Sequence, residues 1–255
     1  MSLRKFVQGL RERDWLSVVL EVLIVVVGVI IALQVSNWND DRKDAVRGND
    51  YLLRMQNELR GDVRRLDDIS GFWAAVNGQG LAALAHAEHG TLLDGSAWKT
   101  LLAYYQASQI WPYRKDNTTF QEIRASGEFG LIRDPALRAR ISSHYASGSN
   151  SEVSEVLGLI PAYRERVRGL TPWAIQEYIW ATCYSGAAGT QQLLDCPPPI
   201  SEEEALTVLQ AFRESPELLQ QLRFWMATTS VGITLMANIQ GEADSLAQAI
   251  EQRRH

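Results

Sequence analysis

The hydrophobic positions of this chain follow two regimes. From Trp15 to Val35 (WLSVVLEVLIVVVGVIIALQV) they are nearly continuous, with Glu21 the one charge. Beyond Asp40 they become periodic: Leu52, Met55, Leu59, Val63, Leu66 and Ile69 recur at steps of three and four, and Trp73 and Val76 carry the stripe past Gly71. The periodic segment predicts an amphipathic helix from Asp40 to about Ile69, with Arg54, Glu58, Arg60, Asp62, Arg64 and Arg65 on its other face. It fits a coiled-coil stalk or the first helix of a bundle. The continuous run predicts a transmembrane helix. Its length at 1.5 Å per residue is about 31 Å, close to the hydrocarbon thickness of a bilayer. Trp15 and Trp38 sit at its two ends, where interfacial aromatic residues belong. A cleaved signal peptide would have a shorter apolar core followed by a small-x-small site; here the run ends in Gln-Val-Ser-Asn-Trp-Asn-Asp.

The rest of the pattern is helical, and several ends are marked. Ser96 opens a helix through Gln106. Asp116 or Asn117 caps one through Ala125, with Gly127 beyond its end. Asp134 followed by Pro135 places proline at a first helical position, for a helix to about Ala146. Ser151 or Ser154 opens another, which Pro161 should kink or break. Ser201 with Glu204 forms a capping box, and Ser215-Pro216 starts a last helix reaching Gln252. No stretch alternates like a strand between turn signals. The expected fold is all-α: a short cytoplasmic segment (1–14), a transmembrane helix (15–36) and an extracytoplasmic bundle of six to eight helices (37–255).

One face of the span differs from the others. Ser17, Glu21, Gly28 and Ala32 fall on one stripe at helical spacing, among Val, Leu and Ile. Gly28 and Ala32 form a small-xxx-small pair, which lets helix backbones approach closely. Glu21 either snorkels to the near interface or stays protonated and bonds a neighbouring helix. A plain anchor with chance small residues competes with the reading that the span packs on its own copy or on a partner subunit.

Orientation depends on flanking charge. Arg4, Lys5, Arg11 and Arg13 precede the span, and Arg42, Lys43, Arg47 and Arg54 follow it. The positive-inside rule is therefore balanced; the amino terminus and the ease with which long domains translocate favour an N-terminus inside and the domain outside, in the periplasm. Cys183 and Cys196 bracket a Gly- and small-residue-rich loop before Pro197–Pro199. A bridge there requires an oxidising compartment; two buried free thiols are the alternative. The net charge is −5, with basic and acidic residues interleaved, so nothing resembles a nucleic-acid-binding face.

The ending Ala32-Leu33-Gln34, Asn37-Trp38-Asn39-Asp40, after an apolar run that starts at Glu21, resembles the opening of a bacterial family of single-pass proteins known only as a domain of unknown function. Tyr51-Leu52 and the charged helix to Asp67 continue the resemblance. A second stretch, Phe120, Ile123, Ser126-Gly127, Phe129, Leu131-Ile132 and Leu137-Arg138, is similar to another element of that family. The chain departs from the pattern at Leu20, where the family has Gly. The resemblance implies a bacterial membrane-anchored protein and supplies no activity; it does not extend past Pro161.

Motifs for chemistry are scarce. His86 and His89 sit about one turn apart, but no third or fourth ligand is nearby and HExxH is absent, so no metal site is expected. The sequence has no phosphate-binding glycine loop and no nucleophile elbow. No catalytic residue and no cofactor is assigned. The segment richest in binding groups is Trp111–Ile132, where Trp111, Tyr113, Arg114, Asn117, Thr118, Glu122 and Arg124 offer aromatic surface and hydrogen bonds to a ligand or partner; helix capping explains part of it without one. The expected function is a non-enzymatic, membrane-anchored interaction protein, an accessory or scaffold subunit of a bacterial inner-membrane complex or a homo-oligomer. The alternative is a periplasmic ligand-binding sensor that signals through a partner. A tethered hydrolase has no motif to rest on.

Overall fold

A computed structural model describes residues 15–146, 160–186 and 189–254. Its organising element is one helix, α1 (Trp15–His89), which contains both the apolar run and the amphipathic segment. No helix end lies between them. Asp40, Asp41, Arg42 and Lys43 are compatible with a solvated helix and include an Asp40–Lys43 pair at 3.1 Å, and Gly61, Gly71, Gly78 and Gly80 remain helical because packing outweighs a propensity cost of about 1 kcal/mol each. The expected helix end near Ile69 is thus overridden: Phe72, Trp73, Val76 and Ala83 are buried and carry the stripe onward. A helix of 75 residues is about 110 Å long. It stops at Gly90, whose φ of 74° suits a residue without Cβ.

The other helices are α2 (Ala97–Gln106), α3 (Thr118–Ser126), α4 (Pro135–Ala146), α5 (Ala162–Leu170), α6 (Trp173–Thr182), α7 (Glu202–Arg213) and α8 (Pro216–Arg254). Their ends follow the local chemistry. The Ser96 hydroxyl accepts from Lys99 N, and Ser201 and Glu204 form the reciprocal box. Asp134 Oδ1 accepts from the Ala136 and Leu137 amides. Pro161 flanks the start of α5, while Ser151 and Ser154 lie outside the described residues. A two-residue antiparallel pair, β1 (Tyr184–Ser185) and β2 (Gln192–Leu193), is the only strand pairing among the described residues.

The last helix, α8, runs back along α1 for most of its length and forms the largest interface in the molecule. Two apolar cores share this pair. One gathers Leu66–Ala83 of α1 with α2, α5, α6, α7 and the first half of α8. The other holds Tyr51, Leu52, Met55 and Leu59 against α3, α4 and Ala243–Ile250. Tryptophan joins the first core to its loops: Trp73, Trp98 and Trp225 donate their indole N–H to the carbonyls of Trp111, Cys196 and Ala107 at 3.1, 3.0 and 2.8 Å. Cys183 and Cys196 are bridged, with Cα atoms 5.3 Å apart, so the chain between them is tied beneath Trp98.

By contrast the apolar run of α1 is bare. Its most apolar window has a mean hydropathy of 2.9 and none of it is buried by the rest of the chain. The helix is long and apolar enough to cross a membrane.

Two glycines of α1 allow close approach. A Cβ on Gly80 would collide with Met226 Sδ of α8, and one on Gly48 would meet the Leu131 carbonyl oxygen at 2.6 Å. The second obstacle is backbone and cannot swing away. Gly48→Val is expected to destabilise the protein by about 1–3 kcal/mol through overpacking, whereas Gly71→Val, with open space around it, should leave the melting temperature within about 2 °C. Thermal unfolding of the two variants checks this; equal losses would exclude the close contact as the cause.

Candidate functional site

The segment from Trp111 to Glu128 includes α3 and the loop before it. It lies along α1 and is fastened to it by a series of polar contacts. Arg47 and Tyr51 of α1 bond Glu128, the tyrosine at 2.6 Å. Arg54 pairs with Glu122 through two N–H donors. Glu58 Oε1 accepts from Thr119 N at 3.0 Å and also from its hydroxyl. Asp62 accepts from the Asp116 amide at 3.2 Å and pairs with Arg65. Phe72 and Trp111 close the series with rings 5.5 Å apart, edge to face. Positions 47, 51, 54, 58, 62 and 65 are three or four apart, so they share one face of a helix.

This accounts for most of the residues singled out in the segment. Tyr113 is 3 % exposed and belongs to the core. Trp111 is half-buried on Phe72, and Glu122 is paired. Arg124 lies over the Phe120 ring at 5.7 Å. Arg114, Asn117 and Thr118 are exposed. Asn117 occupies the cap position of α3 but its side chain makes no capping bond; Asp116 Oδ1 accepts from Thr118 N instead, and Glu58 from α1 takes the next amide. The cap is thus supplied partly by a residue about sixty positions away, which no local pattern could reveal. Ser17, Glu21, Gly28 and Ala32 lie on the exposed apolar run, and nothing stands within 4 Å of a Cβ added at Gly28.

A polar layer separates the two apolar cores. Asp62 is 1 % exposed, and burial raises its pKa although Arg65 opposes the shift. Beside it, the Tyr145 hydroxyl, Glu58 Oε2 and His144 Nε2 are buried without a hydrogen-bond partner among the described residues, and the buried Tyr113 hydroxyl faces Asp62. Lys115 Nζ donates to the His144 carbonyl oxygen. Burial, with a smaller contribution from the Lys115 charge, pushes His144 down to about 4. The layer forces α1, α4 and the segment before α3 into one register, because any slip would bury a charge against hydrocarbon. His86 is also buried, its Nδ1 3.1 Å from the Tyr104 hydroxyl, while Glu88 pairs with Arg223 and His89 is exposed. Among the described residues no group of three or more His, Cys, Asp or Glu is arranged to hold a metal ion.

His144 binds its proton less readily folded than unfolded, so its contribution to stability is present above about pH 6.5 and is lost as pH falls towards 4. The loss amounts to roughly 3 kcal/mol at most. Asp62 acts in the opposite direction, since acid relieves the cost of its buried charge. His144→Gln should therefore flatten the dependence of stability on pH between 6.5 and 4 in denaturant titrations; an unchanged slope would assign the effect elsewhere. Separately, Cys183→Ser with Cys196→Ser should cost about 3 kcal/mol in the chain-entropy account, read as a lower melting point that reductant no longer affects.

No curated protein and no solved structure matches this chain. Residues 21–146, which take in the apolar run, the polar series along α1 and helices α2 to α4, match the model of a family described as "Family of unknown function (DUF6090)".

Proposed function

We propose that this chain is a membrane-anchored interaction protein, in which the apolar run of α1 spans a bilayer and also pairs with another helix, from a second copy or from a different membrane subunit. The observation that carries the reading is the continuity of α1: one helix holds both an apolar run bare of its own domain and the core of the folded domain. A domain that needed only tethering could hang from a flexible linker. A rigid connection fits a protein whose domain must be held at a fixed height and rotation. The stripe of Ser17, Glu21, Gly28 and Ala32 is the face on which such a neighbour would pack, with Gly28 open to close approach. The reading assigns no reaction to the chain.

The Cys183–Cys196 bridge supports a location for the domain outside the cytoplasm, because structural disulfides persist in oxidising compartments. With the span, this favours the inner membrane of a bacterium, the N-terminus inside and the domain in the periplasm.

The test is extraction of the full chain from native membranes in mild detergent, followed by native mass spectrometry. A defined dimer, or a stoichiometric complex with another membrane protein, is expected, and Glu21→Leu with Gly28→Leu should dissociate it. A monomer throughout, or a complex indifferent to the double substitution, would reject the stripe as its interface.

A further inference from the structure

Six arginines elsewhere in the domain pair with a carboxylate: Arg47, Arg54, Arg60, Arg65, Arg223 and Arg253. Arg164 and Arg168 do not. They stand one turn apart on α5, both half-buried, and neither has an Asp or Glu partner among the described residues. Both guanidinium groups turn to the end of α2. Arg164 Nη1 donates to the Ser108 carbonyl oxygen at 2.6 Å and lies 3.4 Å from Gln109 Oε1. Arg168 donates through Nε to Ser108 Oγ at 3.3 Å and through Nη2 to Gln109 Oε1 at 3.1 Å. The Arg168 guanidinium also sits by two rings, 4.9 Å from the Tyr105 centroid and 5.2 Å from that of Trp180.

Capping the exposed carbonyls of α2 explains the contact with Ser108. It does not explain two cations. One suffices for a cap, and a second like charge beside the first, both partly out of water, raises the free energy of the fold. The strain is visible in Arg164, which burial and the Arg168 charge pull down to about 10. The hydrogen-bond count is equally lopsided. The acceptors that the two arginines reach are neutral, while Arg164 Nε and Nη2 and Arg168 Nη1 make no protein hydrogen bond among the described residues. Gln109 is 2 % exposed, and its Nε2 is buried with no partner among the described residues. The cluster is rich in donors, doubly positive and edged by Tyr105, Trp180 and Tyr184, whose hydroxyl is near enough to Arg164 to act on its charge.

We infer that Arg164 and Arg168, with Gln109 and the Tyr105/Trp180 wall, form a binding site for a small soluble oxyanion, a carboxylate or a phosphate. Such a group supplies the acceptors and the negative charge that the protein withholds, and two guanidinium groups held by neutral partners match its geometry. The partial burial limits the occupant to a small molecule. A lipid headgroup carries the same chemistry but is out of reach if the apolar run spans a bilayer. The cluster lies level with Trp73, through the contacts from Trp73 to Trp225 and from Trp225 to Ala107. Trp73 is 38 residues beyond Val35 along one helix, or about 57 Å. The site itself does not depend on the interaction reading above.

Thermal unfolding of the full chain in detergent tests this, with inorganic phosphate and citrate titrated against sodium chloride at matched ionic strength. One of the two should raise the melting temperature by about 3–5 °C at ten times its Kd. Arg168→Gln should abolish the response. Arg166→Gln, an exposed position on the same helix, should retain it. Isothermal titration of the unsubstituted protein and of Arg164→Lys, which keeps the charge and loses the fork, gives a direct reading if Arg168→Gln does not fold; affinity should fall at least tenfold in Arg164→Lys. No response to either probe, or an equal response in Arg168→Gln and Arg166→Gln, overturns the site. Stabilisation by anionic vesicles with no effect of either free anion overturns the soluble ligand.

Discussion

A helix that ends leaves four carbonyls to be satisfied, and one that ends at a bilayer surface must satisfy them beside hydrocarbon. In this protein α1 has no end between its bare apolar run and the folded domain. The same hydrogen-bonded rod that carries the bare apolar run continues until its residues are covered on one side by α8 and on the other by α2, α3 and the segment between them. Everything else is arranged around that rod. The two apolar cores are successive lengths of it, the polar layer at Asp62 is the gap between them, and the contacts from Arg47 to Phe72 are one of its faces. The pairing of α1 with α8 is stabilising because neither helix can bury its stripe alone.

The sequence makes much of this legible, and unevenly. Ser96, Asp134-Pro135, Ser201 with Glu204 and Ser215-Pro216 mark helix starts because a cap is a contact between residues a few positions apart. The stripe from Leu52 to Val76 is legible for the same reason: its period is local. What cannot be read is whatever depends on a distant partner. The continuation of α1 to His89 rests on burial of Phe72, Trp73 and Ala83 by other helices, while its glycines suggest an earlier stop. The cap of α3 comes from Asp116 together with Glu58, not from Asn117. The polar residues between Trp111 and Arg124 have the composition of a binding surface, and several of them bind; what they bind is α1.

The arginine cluster illuminates the same limit from the other side. Arg164 and Arg168 sit in a charged stretch, Tyr-Arg-Glu-Arg-Val-Arg, with nothing in its spacing to separate them from a solvated helix face. Glu165, their neighbour in sequence, points elsewhere by helix geometry. Only the fold shows that two of the three arginines are carried into the end of α2, where every partner is neutral. Two half-buried like charges that share only neutral partners among the described residues are informative in a way that composition never is.

The uninterrupted rod also fixes an angular phase. Each residue of an α-helix turns the chain by 100°, so inserting or deleting one residue between Val35 and Gly48 would swing the whole domain through more than a quarter circle relative to Gly28 and Ala32. Seven residues restore the phase almost completely, and three or four restore it in part. A chain joined by a loop would be indifferent to such changes. Here the length of that stretch is itself part of the architecture, counted in whole turns, and drift in it would be felt as misalignment between the Gly28 and Ala32 face of the apolar run and the faces of the domain.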